Sequence, residues 1–105
     1  MVLTNGLTAS ASEILTGALQ DHGVAVSMGT KTYGKGVVQS FVELDDGSGL
    51  KLTTDQYFTP HGRAIDGVGI EPDIEVEFDA DSYYADDSYD NQKAEAIKYL
   101  KDKIQ

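Results

Sequence analysis

The sequence contains no cysteine, no tryptophan, only two prolines and no long apolar run. Without cysteine the chain forms neither disulfides nor thiolate metal sites, and it has no cysteine nucleophile. Without an apolar run of about 20 residues it has no candidate membrane span. Basic residues are also few: eight stand against 18 acidic ones, which gives a net charge of −10. Such a charge repels phosphate backbones and anionic lipids, so we expect no nucleic acid partner and no membrane contact by this segment.

The length of 105 residues predicts a single domain. Because strand-like residues start at once after Met1, we expect a partial domain that has been cut from something larger. Hydrophobic periodicity and turn residues indicate a mixed α/β (α+β) fold. The predicted elements are a strand at residues 2–5, a helix from Ser10 to near Gly23, a strand at 24–28, a hairpin of 37–44 and 50–54, strands at 56–59 and 74–78, an acidic exposed connection at 79–90, and a terminal helix at 91–105 capped by Asp90 or Asn91.

The tetrad Ser10-Ala11-Ser12-Glu13 lies where a strand-to-helix turn begins a helix. This pattern is typical of a capping box, in which Ser10 accepts from the Glu13 backbone and the Glu13 side chain reaches back. The same position favours a nucleophile, since the unpaired N–H groups and the positive end of the helix dipole can stabilise an oxyanion. A serine nucleophile still requires a base. The tetrad alone leaves both interpretations open.

Two histidines are candidate bases. His22 lies at the far end of the same helix, about 18 Å from Ser10 at a rise of 1.5 Å per residue, and is excluded. His61 lies in a Pro-His-Gly-Arg turn and would pair with Asp66 in a Ser-His-Asp trio, although a surface turn histidine is the simpler interpretation.

Lys35 is the third candidate base. It lies between two glycines that allow close backbone approach, and it precedes a strand on which period 2 places Val37, Gln39 and Phe41 on its own face. A lysine acts as a base only where desolvation lowers its pKa. Lys35 is therefore either a base in a dry pocket or a solvated loop charge.

Calcium binding is a further interpretation of two acidic stretches, residues 45–48 and 79–90. Neither matches a loop of ligands that ends in a distal bidentate glutamate, so exposed acidic surface is the preferred interpretation. We expect neither a metal nor an organic cofactor.

The ordered motifs of residues 3–74 resemble the carboxyl-terminal processing peptidases, also called tail-specific proteases. The stretches that carry the resemblance are TASASEI at residues 8–14, GALQD at 17–21, GxxTYGKGxVQ at 29–39, LKLTT at 50–54, YFTP at 57–60, GR at 62–63 and GxGIEPD at 67–73. This family-like core covers residues 1–78.

The resemblance implies a crotonase-like fold and serine endopeptidase activity on protein carboxyl-terminal regions. It assigns Ser10 as nucleophile, Lys35 as base and Gln39 as the residue that orients the amine. The Ala11 amide would be one oxyanion donor, and Glu13 a capping and positioning residue. It further implies protein or peptide substrates that bind as an added strand, and a parent protein that works outside the cytoplasm.

Departures from the family pattern qualify these expectations. The PDZ domain and the upstream strands, including the segment that contributes a second oxyanion donor, are not present before Met1. We therefore expect weak activity or none from this chain by itself, and self-association through exposed strand edges. Lys31 stands near a position where the family more often has an acidic or small residue, and a second cation there would favour the neutral form of Lys35 in a dry pocket. The alternative function is a non-catalytic module that binds peptides or a partner.

Overall fold

A computed structural model describes residues 1–85 and 89–104 of the chain. The described elements confirm the mixed α/β fold, with a helix after Ser10, a hairpin and a C-terminal helix. In chain order they are β1 (Val2–Thr4), α1 (Ala11–Asp21), β2 (Ser27–Gly29), β3 (Val37–Glu43), β4 (Gly49–Gln56), β5 (Ile74–Glu75), α2 (Ala80–Ala85) and α3 (Asn91–Ile104).

Three short strands form a parallel sheet in the order β1-β2-β5. Leu3 pairs with Met28, and Met28 pairs with Ile74. Parallel neighbours need a long crossover, and α1 supplies the one between β1 and β2. Because the strands run in the same direction, their carboxyl ends meet at one edge, and the chain leaves β1 at that edge toward Ser10.

The core is small and lies between α1 and the loops that follow β4. Its fully buried apolar side chains are those of Ile65 and Ile70, which are at most 1% exposed. Gly17 on α1 allows this packing, since a Cβ there would lie 2.7 Å from Cγ2 of Thr59 and 3.2 Å from Cδ1 of Ile70. The close approach fixes α1 against the loops that carry several of the family-like motifs.

The antiparallel hairpin of β3 and β4 projects from this body. Every residue of β4 is exposed, and Phe41 on β3 is 71% exposed. The chain as a whole measures 61 × 34 × 19 Å, with a radius of gyration of 17.8 Å, against about 13 Å for a compact domain of this length. The hairpin therefore leaves apolar side chains without partners in the described part of the chain.

Several predicted boundaries were wrong. The strand expected at 24–28 is shifted to Ser27–Gly29, because pairing of Thr4 with Gly29 sets its register. The strand expected at 56–59 is an isolated bridge between Phe58 and Ala64, since β4 continues to Gln56. The strand expected at 74–78 ends at Glu75.

No described residue of the acidic stretch 79–90 is buried, but the stretch is not only a connection. It contains α2, a helix that buries no residue, and Asp79 accepts hydrogen bonds from Ser82 at the start of this helix. Residues 86–88 of the stretch lie outside the described residues.

The terminal helix is confirmed as α3, with Gln105 outside the described residues. Asp90 is its cap, since Oδ1 of Asp90 accepts the Lys93 N–H at 3.0 Å. Ala96 is the buried residue of α3. None of the helices that the structure describes is long and apolar enough to cross a membrane.

Candidate active site

Ser10 lies between β1 and α1 with a φ of 56° and a ψ of −121°. Among the described residues it is the one non-glycine with a positive φ. For a non-glycine residue this backbone conformation costs about 1–3 kcal/mol of stability, and such backbone strain is concentrated at functional sites. The strand-to-helix turn expected at Ser10 is therefore present, and it presents the serine under strain at the start of a helix.

The capping box around Ser10 is only partly formed. Oε2 of Glu13 accepts the Ser10 N–H at 2.9 Å, and the Glu13 N–H donates to the Ser10 carbonyl oxygen at 2.9 Å. The Ser10 hydroxyl makes no cap hydrogen bond. Ala11 is the first residue of α1, and a first-turn N–H has no intrahelical acceptor. The role of the Ala11 amide as an oxyanion donor stays a prediction.

Glu13 is the central residue of the site. Its side chain is completely buried, at 0% exposure. Oε1 accepts the Thr32 hydroxyl at 2.5 Å and the Gly34 N–H at 2.6 Å. Oε2 accepts the Ser10 N–H and also the Lys35 N–H, at 2.8 Å. One buried carboxylate therefore receives four donors from two separate parts of the chain.

The shared acceptor sets an upper limit on the distance between the amide nitrogens of the two predicted catalytic residues. The amide nitrogens of Ser10 and Lys35 both donate to Oε2 of Glu13, so they lie at most about 5.7 Å apart, the sum of 2.9 and 2.8 Å. These residues are 25 positions apart in the sequence. The structure thus brings the backbone of Ser10 next to the backbone of Lys35.

The Glu13 carboxyl is held as an anion. Burial raises its pKa, whereas hydrogen bonds from the Thr32 hydroxyl and from three backbone amides lower it by more, so the pKa lies below its ordinary value. A carboxylate that accepts several N–H groups is stabilised in its charged form. Within the described residues Glu13 forms no ion pair, so hydrogen bonds compensate the buried charge.

The loop of Lys35 is fixed by its two glycines. Gly34 has a φ of 90°, which favours glycine, and a Cβ on Gly36 would lie 2.5 Å from the Asp66 nitrogen. The Gly36 N–H donates to Oδ1 of Asp66 at 3.2 Å, and the Gly36 carbonyl accepts the Tyr57 N–H at 2.6 Å. The loop backbone is therefore held on both sides of Lys35.

The side chains of Lys35 and Gln39 are both exposed. The expectation that Lys35 shares a strand face with Val37 and Gln39 was wrong, because β3 begins at Val37 and a register shift falls between Val38 and Gln39. The described residues thus position the Lys35 backbone but do not enclose its amine.

The other candidate bases lie elsewhere. His61 approaches Asp21, with Nδ1 of His61 3.8 Å from Oδ1 of Asp21. Asp21 ends α1, about 16 Å along the helix from Ser10. Asp66, the expected partner of His61, accepts the Gly36 N–H. The Ser-His-Asp trio is therefore not formed.

Two further charged residues have local roles. Nζ of Lys31 lies 2.8 Å from Oε1 of Glu71 in an exposed ion pair, so a neighbouring carboxylate compensates its charge. Asp46 of the hairpin turn accepts the Ser48 N–H at 3.0 Å. Within residues 1–85 and 89–104, no group of three histidine, aspartate or glutamate side chains is arranged to hold a metal ion.

Sequence reasoning missed Thr32. Its hydroxyl donates to Glu13 and accepts the Ile70 N–H at 2.7 Å, and its N–H donates to the Ile70 carbonyl at 3.1 Å. It thereby connects the glycine-rich loop of residues 67–73 to the Glu13 carboxylate. No local pattern around Thr32 indicates this role, because its partners come from distant parts of the chain.

Comparison with known proteins identifies the class and then the family. Residues 1–76 match the family described as Peptidase family S41. The chain is 54% identical over 77 residues to the carboxy-terminal-processing protease of Bartonella bacilliformis, covering 73% of this chain and 18% of that protein. It is 50% identical over 76 residues to a CtpA-like serine protease of Staphylococcus aureus (strain COL), covering 72% of this chain and 15% of that protein.

The structure of a photosystem II D1 C-terminal processing protease matches with a TM-score of 0.71 and 46% identity, over 72% of this chain and 20% of that one. The fold and its relatives define the class of serine proteases with a mixed α/β catalytic domain. More narrowly, the chain belongs to peptidase family S41, among the carboxyl-terminal processing proteases. The chain spans about a fifth of the length of the relatives it matches.

Proposed function

We propose that this chain carries the nucleophile and the base of a serine endopeptidase that acts through a dyad of Ser10 and Lys35. The observation that carries the proposal is the shared hydrogen-bond acceptor, Oε2 of Glu13, which holds the two backbones at most about 5.7 Å apart. A strained serine at a helix start and a glycine-flanked lysine beside it are the parts that a Ser–Lys dyad requires.

The proposed reaction is acyl transfer. Neutral Nζ of Lys35 takes the proton of the Ser10 hydroxyl, and Oγ of Ser10 attacks the carbonyl carbon of the peptide. The Ala11 N–H donates to the oxyanion that forms. The Lys35 ammonium then protonates the leaving amine as the C–N bond breaks, which leaves an acyl-Ser10 ester. Water, deprotonated by Lys35, attacks this ester, and Oγ of Ser10 leaves with the proton.

Two residues serve the dyad in this proposal. Glu13 is a positioning residue, because its carboxylate holds the Ser10 and Lys35 amides while its own atoms remain buried. Gln39 orients the Lys35 amine, and the register shift in front of it aims its side chain differently from a regular strand.

Exposure of Lys35 leads to a second part of the proposal. A lysine acts as a general base only where its surroundings exclude water. Lys35 is exposed in the described chain, so the described residues do not supply such surroundings. We propose that these residues by themselves cleave weakly or not at all, and that further chain encloses Lys35 in an active enzyme.

We propose protein carboxyl-terminal regions as substrates, bound as an added strand. Within the described residues, β1 and β5 are the outer strands of the parallel sheet. Strand addition to an edge provides main-chain hydrogen bonds for any sequence, so it suits an unstructured tail. The family resemblance supports work outside the cytoplasm, which cell fractionation with an antibody to the full-length protein would test.

Cleavage of an unstructured protein by the full-length protein tests the dyad, with products identified by mass spectrometry. Ser10→Ala and Lys35→Ala are expected to abolish cleavage while the circular dichroism spectrum is kept. Lys31→Ala is the matched control, since it removes a lysine from the same loop that is paired with Glu71. Retained cleavage by Lys35→Ala would contradict the dyad.

The exposure of Lys35 and Gln39 also favours a second candidate, a non-catalytic peptide-binding module. This candidate predicts that the wild-type full-length protein binds a peptide tail but cleaves none, and that Ser10→Ala binds it equally well. Turnover by the wild type that depends on Ser10 would exclude the module.

A further inference from the structure

A cavity of about 420 Å³ lies at the edge where the parallel strands end. Asn5 directly follows β1, Thr30 directly follows β2, and Glu77 lies two residues beyond β5. Ligands of α/β sheets bind outside the carboxyl ends of the strands. The turn to Ser10 starts at Asn5 and the loop to Lys35 starts at Thr30, so the cavity shares this edge with the proposed dyad.

One part of the cavity wall is aromatic. The rings of Phe78 and Tyr83 lie 5.2 Å apart with an angle of 55° between their planes. The rings of Tyr83 and Tyr84 lie 5.5 Å apart and nearly perpendicular, at 85°. Tyr84 is 78% exposed, so a ring face is open to solvent. Aromatic faces attract cations, and the exposed ring face of Tyr84 is available to a ligand.

The charged part of the wall is negative. Among the described residues, Glu77 and Asp90 line the cavity and no lysine, arginine or histidine does. In the part of the chain that the structure describes, the Glu77 carboxylate accepts no hydrogen bond. A cation that enters between the rings would meet this carboxylate, and the net charge of −10 favours its approach.

Hydrogen bonds hold the wall in place before any ligand arrives. Asn91 donates to the Glu77 carbonyl at 2.7 Å and accepts the Asp79 N–H at 2.9 Å. Gln92 donates to the Val76 carbonyl at 2.7 Å. These bonds tie the segment after β5 to the start of α3. A wall that is already ordered loses little entropy on binding.

We propose that this cavity is a substrate subsite for a lysine or arginine side chain. The aliphatic stem would pack on Tyr83 and Tyr84 and the charged head would reach Glu77. Except for Asn5 and Thr30, the lining residues lie beyond residues 1–76 that match the family. The inference rests on the proposed peptidase function for the identity of the ligand.

The test scans one lysine through the positions of an internally quenched peptide and compares each peptide with its norleucine analogue. The full-length protein is expected to cleave the lysine peptide with a kcat/KM about tenfold higher at one position. Glu77→Gln and Tyr84→Leu are each expected to reduce this ratio to about twofold or less. Glu75→Gln, an exposed acid outside the cavity wall, keeps the full ratio and is the matched control.

Binding separates failure of the subsite from failure of catalysis. Fluorescence anisotropy with the full-length Ser10→Ala variant measures affinity for the lysine and norleucine peptides without turnover. A lysine preference that disappears in Ser10→Ala/Glu77→Gln supports the subsite even if the wild type cleaves nothing. Equal affinities for both peptides at every position, or a preference that survives Glu77→Gln together with Tyr84→Leu, would overturn it.

Discussion

Replacement of Glu13 by glutamine tests the hydrogen-bond network at its centre. The change keeps the size of the side chain but replaces one carboxylate oxygen with an NH2 group. In the wild type Oε1 accepts from Thr32 and Gly34, and Oε2 accepts from Ser10 and Lys35. Whichever position the NH2 group takes, it faces at least one backbone N–H that then has no acceptor.

The expected cost follows from these lost bonds. Each buried donor left without an acceptor costs about 1–3 kcal/mol, and at least one is lost, so Glu13→Gln should lower the free energy of unfolding by at least about 1–3 kcal/mol. The glutamine costs less stability when its NH2 group faces the Thr32 hydroxyl, because a hydroxyl can rotate and accept a hydrogen bond from the NH2 group. We therefore expect the glutamine oxygen to keep the Ser10 and Lys35 amides and the Gly34 amide to lose its acceptor.

Urea unfolding followed by circular dichroism measures this cost. Glu95→Gln is the control, because its side chain is 52% exposed and its ion pair with Lys98 is a surface pair worth about 0–1 kcal/mol. Unfolding of Glu13→Gln at the same urea concentration as Glu95→Gln would refute the network as a source of stability.

Further predictions concern stability at low pH, packing at Gly36 and self-association through the hairpin. The pKa of Glu13 is lower in the folded than in the unfolded protein. The stability that its carboxylate contributes is therefore present above the unfolded pKa and is lost as the pH falls through the folded pKa. Glu13→Gln should lose less stability than the wild type below about pH 4.5. Burial raises the pKa of Asp21, but hydrogen bonds and Arg63 lower it to about 2. The wild type should therefore lose stability between about pH 4 and pH 2, and Asp21→Asn should not. Identical acid-unfolding curves for the two proteins would contradict this. Gly36→Ala should destabilise by about 1–3 kcal/mol in thermal unfolding because its Cβ meets backbone at 2.5 Å, whereas Gly6→Ala, with open space around it, should be nearly neutral. Leu52→Thr on the exposed face of the hairpin should reduce self-association in sedimentation velocity, and unchanged association would exclude this face as the contact.

Local patterns predicted much of the fold. The helix after Ser10, the hairpin and the capped terminal helix each have a short-range signal: apolar positions at helical spacing, two β-rich runs around Asp46-Gly47, and Asp90 before a periodic stretch. The helix α2 was missed, because its six residues ADSYYA show no apolar stripe. Strand limits at β2 and β5 were missed because pairing between distant segments sets them.

For the candidate site, the sequence predicted one local contact but not the tertiary geometry. The tetrad around Ser10 indicated that Glu13 would reach back to the helix start, which is the local half of its role. Its bonds to Thr32, Gly34 and Lys35 span 19, 21 and 22 residues, and only the tertiary fold brings those donors to it. Sequence reasoning left open whether Lys35 lies in a dry pocket or is solvated, because only the tertiary fold determines its exposure.

Labelling by a serine-directed fluorophosphonate tests the proposed dyad most directly. Intact-mass and peptide mass spectrometry of the full-length protein should find one adduct, on Ser10. The labelling rate should fall by at least about 100-fold in Lys35→Ala, as expected for loss of a general base, and should be unchanged in Lys31→Ala. An adduct on another serine, or equal rates for wild type and Lys35→Ala, would contradict the account.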